Sequence, residues 1–457
     1  ARMLGLKPPA RDVQFAGIST DTRALRRGSL FVALQGPNFD GHDYLDRAAS
    51  GGAVAALVNR PTAELPVLQV KNTRAALGQL AAAWRLRFDL PLLAVTGSNG
   101  KTTVKEMLAA ICGECAPTLA TIGNLNNDIG VPLTLLKLGA EHRYAVVEMG
   151  ANAPGEIDYL TRLARPTVGV ITNAAAAHLE GFGSLGGVVR AKGELYASMP
   201  ESATAVINAD EPGAPLWKTL AGTRRQLTFG RRTGCDIQLQ EGGPALSIDG
   251  QGFSCRIGMN TPEGPLAVTL PMAGVHNALN ALAATATAIA AEIPLDRIAA
   301  GLAKVKPVKG RLQMRQGQLG ERIIDDTYNA NPHSLRAAVE VLRGCPGERW
   351  LVLGDMAELG ADAAELHREV GGRARQAGIE RLFTVGTLSR HAAQAFGGGA
   401  MHAQHPQALI DALQHTLHSA VTLLVKGSRS LRMERVVEVL ATHPDRDVQN
   451  DISGGGR

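Results

Sequence analysis

The stretch that most constrains this chain runs Leu92-Leu93-Ala94-Val95-Thr96-Gly97-Ser98-Asn99-Gly100-Lys101-Thr102-Thr103. An apolar run of strand length stops at a small polar turn with two glycines, and a lysine and two threonines follow. Behind them Val104, Met107, Leu108 and Ile111 fall at helical spacing, so the unit reads strand, loop, helix. Glycines let backbone N–H groups crowd around a phosphate, and the start of a helix favours its negative charge. Lys101 can reach the terminal phosphates of a nucleotide, and the Thr102 hydroxyl can ligate Mg²⁺. The candidate phosphate-binding set is therefore Gly97, Ser98, Asn99, Gly100, Lys101, Thr102 and Thr103. Val95 stands where the common form of this loop has its first glycine.

Composition narrows the partners. The 457 residues suggest about three domains of ~150 residues. Hydrophobic residues make up 45% and charged residues 19%, which is ordinary for a globular protein. The net charge of +5 is scattered, with no basic run longer than a pair such as Arg224-Arg225. Aromatics are only 4%, too few for base-stacking platforms, so no nucleic-acid partner is indicated. Five cysteines in a long chain argue against a disulfide framework. Cys112-Gly-Glu-Cys115 falls near the end of a helix, where nothing lowers a thiol pKa, and is read as structural. No basic–apolar–small signal pattern opens the sequence, and the Ala-rich run near 273–291 is interrupted by His276, Asn277 and Asn280. A cytoplasmic protein without a membrane span is expected.

Along the chain, residues 1–85 read as a small α/β domain, with strands near 30–34, 53–58 and 67–70 and helices near 42–50 and 73–86. Ser19-Thr20-Asp21-Thr22-Arg23 and the loop 36–42 stand out as polar clusters, which turn chemistry alone could explain. Residues 86–310 alternate strand and helix, which implies a mostly parallel sheet around the P-loop. An asparagine-rich turn at 121–130 opens a helix to 138, and the strand 144–147 ends in Glu148. A strand at 167–171 leads to Asn173 and His178, and the helix 188–198 carries Lys192. Short runs at 225–270 read as closing hairpins, with a turn at Asp249-Gly250, before the helix 274–291. Residues 311–457 read as a second, Rossmann-like α/β sheet with strands at 322–325, 350–353, 382–385 and 422–425. The Gly454-Gly455-Gly456 tail is expected to be disordered.

In such sheets ligands gather beyond the carboxyl ends of the strands, where Lys101, Glu148 and His178 all lie. A carboxylate after a buried strand, opposite a phosphate loop, is the expected device for holding Mg²⁺ on nucleotide phosphates.

Thr96–Thr103, Glu148, Asn173 with His178, Lys192, Gly274-Val275-His276-Asn277 and Lys309-Gly310-Arg311, in that order, resemble the Mur ligase family, the ATP-dependent amide ligases of peptidoglycan synthesis. The likeness spans all three expected domains. Within the family, the stretches 121–130, 178–184 and 325–334 are most similar to the members that join D-alanyl-D-alanine to UDP-N-acetylmuramoyl-tripeptide. The Asp-Asn-Pro-Arg run of the members that add the third amino acid is absent. Ala174 to Ala177 and Thr22 depart from the usual pattern without removing a charged group.

The resemblance implies a UDP-sugar-binding domain at 1–85, a central ATP-binding domain at 86–310 and a C-terminal ligase domain at 311–457. It implies that the tripeptide carboxylate attacks the γ-phosphate of ATP, and that the dipeptide amine then attacks the acyl phosphate. The implied catalytic set is Lys101, Glu148, His178, Lys192 and Arg311. Two Mg²⁺ ions are implied, with Thr102, Glu148, His178 and a carbamylated Lys192 around them. Asn277 is expected at the adenine, Arg311 at the γ-phosphate and Asp326 at the nucleotide. Ser19, Asp21 and Arg23 are expected to hold the UDP-sugar, with Asn126 and Asn127 near its phosphates. Asn329 and Asn331 are expected on the dipeptide side, and the protein is expected to be a monomer. The rival readings are a sibling or folylpolyglutamate synthase-like ligase, or a P-loop phosphotransferase or motor.

Overall fold

The computed structural model of the chain describes residues 1–6, 12–175, 179–249 and 252–442. His178, Gly250 and the 454–456 tail lie outside the described residues. The strand Leu92–Thr96 is buried along its whole length. Leu93 and Val95 enter one core, and Leu92 and Ala94 enter another on the opposite face. A strand covered on both faces needs no polar alternation, which is why it reads as an unbroken apolar run.

Leu92–Thr96 lies between Tyr144–Glu148 and Val168–Ile171 and runs parallel to both. Parallel pairing continues through Thr204–Asn208, Gln226–Gly230 and Ile237–Leu239 on one side and Thr118–Ala120 on the other. Only then does the sheet turn antiparallel, with Gly252–Thr261 paired to Ile237–Leu239, Ala245–Asp249 and Gly264–Leu270. The reading of 225–270 as hairpins is therefore corrected for its first two strands. Short apolar runs between Gly turns look alike whichever way the next strand runs. One face is covered by Lys101–Gly113 and the Ala-rich Val275–Ala290, the other by Glu156–Ala164 and Leu185–Ser198.

The N-terminal lobe is a parallel four-stranded sheet in the order Ile18–Ser19, Leu30–Val32, Ala55–Val58, Val67–Gln69. The helix Thr73–Arg85 fastens it to the central lobe. Arg85 Nε donates to the Ala164 carbonyl at 3.0 Å, and Trp84 Nε1 donates to that of Leu138 at 3.0 Å. At Gly78 a Cβ would lie 2.1 Å from the Tyr159 hydroxyl, so a side chain there would have to displace Tyr159. The helix expected at 42–50 is a 3₁₀ turn, Gly41–Tyr44, leading into Leu45–Ser50. The one expected to reach 138 ends at Leu135.

The C-terminal lobe holds a six-stranded sheet in the order Gln313–Gln316, Arg322–Asp326, Val421–Lys426, Glu348–Gly354, Arg381–Val385, Ala400–Ala403. All neighbours are parallel except the first pair. The molecule is thus α/β throughout, with three lobes each built on its own sheet. The five cysteines are free, and burial pushes the Cys112 thiol up to about 12, as suits a structural role. Among the described residues no helix is long and apolar enough to cross a membrane.

Candidate active site

The carboxyl ends of the central strands open into a cleft of about 1000 Å³. Its walls come from the central lobe (Lys101, Asn126, Glu148, Asn173), from the C-terminal lobe (Arg311, Asp326, Asn331, Lys426) and from Arg74 of the joining helix.

The phosphate loop is held by its neighbour strand. Ser98 N donates to the Asn173 carbonyl at 3.0 Å, and Asn99 N donates to Asn173 Oδ1 at 2.9 Å. Thr172 Oγ1 and Asn173 Nδ2 donate to the Asn99 carbonyl at 2.6 and 3.0 Å. Gly97 has φ 144° and Gly100 has φ 81°, conformations that a side chain would strain. At Gly97 a Cβ would also sit 2.0 Å from Thr172 Oγ1. Lys101 Nζ folds back onto the carbonyls of Gly97 and Ser98 at 2.8 and 3.2 Å. Burial pushes the Lys101 pKa down, Glu148 opposes that shift, and Arg311 adds to it. Thr102 and Thr103 open the helix Lys101–Gly113.

Glu148 is 2% exposed. Asn126 Nδ2 donates to its Oε1 at 2.7 Å, while Oε2 has no partner among the described residues. Thr121 Oγ1 accepts the Glu148 N–H at 2.9 Å, which pins the strand end. A buried carboxylate oxygen without a partner costs about 1–3 kcal/mol or more, so the site calls for a cation. Mg²⁺ suits it, because that ion takes one or two carboxylates and completes its shell with phosphate and water. Among the described residues no group of three or more His, Cys, Asp or Glu could hold a metal.

Lys192, also 2% exposed, packs its ammonium over the Phe182 ring at 5.2 Å and reaches the Ala151 carbonyl at 3.5 Å. Burial, and then the charge of Lys101, pushes its pKa down to about 7. Arg311 crosses from the C-terminal lobe: its guanidinium stacks on Tyr328 at 4.3 Å and donates to Thr102 Oγ1 at 3.1 Å. Arg311 Nε and Asn99 Nδ2 are buried and without partners among the described residues.

The other expected residues are placed unevenly. Asn277 lines the cleft but is tied to the Ala273 carbonyl at 2.8 Å and to Asn280 at 3.1 Å. Asp326 accepts from Leu312 N at 3.2 Å and from Lys426 Nζ at 2.5 Å, and burial pushes its pKa up against the pull of Lys426. Asn127 Oδ1 accepts from Ile129 and Gly130 N–H at 3.2 and 2.9 Å. Asn329 Oδ1 accepts from Ala330 N at 2.9 Å, and Asn331 caps the helix Pro332–Arg343. Ser19, Asp21 and Arg23 are not brought to the cleft wall; they form a turn bonded to itself, where Arg23 holds the Asp21 carboxyl down to about 2.

Lys426, His276 and Arg74 also line the cleft, yet the sequence reading assigns them no role. Lys426 ends a buried strand, which was the available signal. Its importance depends on the register that sets it beside Asp326.

Comparison with known proteins agrees along the chain. The family model described as "Mur ligase family, catalytic domain" matches residues 14–85. "Mur ligase middle domain" matches 95–288, and "Mur ligase, glutamate ligase domain" matches 310–429. The UDP-N-acetylmuramoyl-tripeptide–D-alanyl-D-alanine ligase of Escherichia coli is 47% identical over 436 residues, 94% of each chain. A crystal structure of MurF from Acinetobacter baumannii superposes with a TM-score of 0.86 at 38% identity, covering 93% of this chain and 92% of that one. MurF ligase from Thermotoga maritima in complex with ADP gives 0.82 at 29% identity, covering 94% and 97%. The chain belongs to the Mur ligase family.

Proposed function

We propose that this protein is an ATP-dependent ligase that joins D-alanyl-D-alanine to UDP-N-acetylmuramoyl-tripeptide, at the cytoplasmic stage of peptidoglycan precursor synthesis. The observation that carries the reading is the gathering of Lys101, Glu148, Lys192 and Arg311 around one phosphate loop. Lys101 feels the charges of Glu148 and Arg311, and Lys192 feels that of Lys101. A carboxylate approaching a triphosphate is repelled, so this chemistry needs charge neutralisation and positioning above all.

In this reading the glycine loop and the start of the helix hold the β- and γ-phosphates, and Lys101 leaves its own loop carbonyls to bind them. Arg311 leaves Thr102 for the γ-phosphate. Thr102 and Glu148 would hold Mg²⁺, and His178 with a carbamylated Lys192 would flank a second ion; these residues would thereby supply charge neutralisation at the phosphates and a place for the attacking carboxylate. Lys192 suits carbamylation because a pKa near 7 leaves a share of neutral amine, the form that adds to CO₂. Asn277 and Asp326 would contact the nucleotide, and Ser19, Asp21, Arg23, Asn126 and Asn127 the UDP-sugar. Asn329 and Asn331 are the candidates for the dipeptide side. The division 1–85, 86–310 and 311–457 assigns these three tasks to three domains, in a protein acting as a monomer. The C-terminal wall of the cleft would shield the acyl phosphate from water.

The test is ADP release with UDP-N-acetylmuramoyl-tripeptide and D-alanyl-D-alanine, each alone and together. Sustained turnover only with both is expected. Turnover that needs neither, or that takes glutamate and a folate instead, overturns the assignment.

A further inference from the structure

The C-terminal lobe touches the phosphate loop through a side chain that serves two masters. Asn331 Oδ1 accepts from Ser334 N at 2.8 Å, capping the helix Pro332–Arg343, and Ser334 Oγ accepts the Asn331 N–H at 3.1 Å. Asn331 Nδ2 meanwhile donates to Asn99 Oδ1 at 2.8 Å, across 232 residues of chain.

We propose that the Asn331–Asn99 hydrogen bond is a positioning contact that couples the C-terminal lobe to the phosphate loop for ligation. Both ends of the bond are stiff. Asn99 is fixed through its main chain: its N–H donates to Asn173 Oδ1, and its carbonyl accepts from Thr172 Oγ1 and Asn173 Nδ2. Asn331 is fixed by its capping box, and the turn before it by Lys426, whose Nζ donates to the Asn329 carbonyl at 2.9 Å and pairs with Asp326. A hydrogen bond between two such elements tolerates little relative movement before its geometry is lost. It therefore reports the position of one lobe to the other.

The bond also sets how Asn99 presents itself. With Oδ1 taken by Asn331, the Asn99 amide keeps Nδ2 as a buried donor on the cleft wall, without a partner among the described residues. Asn331 thus acts through Asn99, orienting a donor for an acceptor oxygen of the bound substrates. The Arg311–Thr102 contact makes a second tie to the same loop, so phosphate binding acts on both. This assignment rests on the ligase reading for its substrates. It takes Asn331 out of direct dipeptide contact.

Asn331→Ser in the full-length protein separates the two tasks, because serine is as good a helix cap but cannot reach Asn99. Expected is a fall in kcat of about five- to tenfold, the size of one hydrogen bond. KM for the UDP-linked substrate stays within about twofold, since the mutated residue lies on the opposite lobe. Adding Asn99→Ala should lower kcat no further than the worse single variant. Hydrogen–deuterium exchange of the 97–101 amides should quicken, while the 332–343 helix keeps its protection. Unchanged kcat and unchanged loop exchange overturn the proposal, and so does loss of protection confined to the helix. If the wild type fails to ligate these substrates, the ligase reading falls, and the exchange result alone decides the coupling.

Discussion

Two strands in different lobes end almost alike in sequence: Val147-Glu148-Met149 in the central sheet and Gly354-Asp355-Met356 in the C-terminal one. The structure uses the two acids in opposite ways. Asp355 accepts the N–H groups of Thr387, Leu388 and Ser389 at 2.8, 3.0 and 2.7 Å, so it is spent on holding the turn that follows the next strand. Gly386, at φ 121°, makes this possible, since a Cβ there would lie 2.4 Å from Asp355 Oδ1. Glu148 accepts one bond through Oε1 and keeps Oε2 buried with no partner among the described residues. A carboxylate satisfied by amides is architecture. One held half-satisfied out of water sacrifices stability, and a site that binds a cation recovers it.

Exchanging the roles on paper sets the largest expected effects. Lys101→Ala and Glu148→Gln should each lower ADP release in the complete ligation mixture by at least ~10³-fold, the scale seen when a group that neutralises developing charge is removed. Their thermal unfolding should stay near that of the wild type, because neither change takes a partner from a buried donor that lacks another acceptor. Activity within tenfold of wild type for Glu148→Gln would make that residue as structural as Asp355. Asp355→Ala should do the reverse. Stripping three amides of a charged acceptor should cost about 2–4 kcal/mol in denaturant unfolding, with turnover per folded molecule within about threefold. A large loss of turnover in a stable Asp355→Ala protein would break the comparison from the other side.

The same pair shows what the sequence could reveal. Strand, glycine loop and helix at 92–113 were legible because local chemistry dictates them: a two-sided apolar run, glycines at positive φ and a lysine at the helix start. Glu148 was legible because it ends a strand opposite the phosphate loop, whereas nothing local to Asp355 shows that a distant turn supplies it with three amides. Arg311 on Thr102 and Asn331 on Asn99 join residues 209 and 232 positions apart. No local pattern marks such contacts. Ser19, Asp21 and Arg23 stood out as a polar cluster, and in the structure they satisfy one another away from the cleft wall, as turn chemistry alone would have them do.

The last expected effect, visible only as a dependence on pH, lies where the two lobes face each other. His276 opens the central helix Val275–Ala290, and burial, then Lys426, then His333 push its pKa down to about 4. His333 is itself pushed down by burial and then by Arg336, while Lys426 is paired with Asp326, so burial is the main opposition to a proton on His276. Between pH 4 and the ordinary histidine value near 6.5, the unfolded chain binds a proton at this position and the folded protein does not. Stability from this group therefore rises with pH across that window and is lost as the pH falls toward 4. The carboxylates add their own acid dependence, so the diagnostic quantity is the difference between wild type and His276→Gln. Measured by denaturant unfolding at several pH values, the wild type should lose more stability than the variant between pH 6.5 and 4, and the two should run parallel above pH 7. Parallel curves through the whole range would mean that His276 accepts a proton without opposition. The C-terminal cations would then stand too far off to act on the central lobe, and the coupling of the two lobes would rest on the hydrogen bonds to the phosphate loop alone.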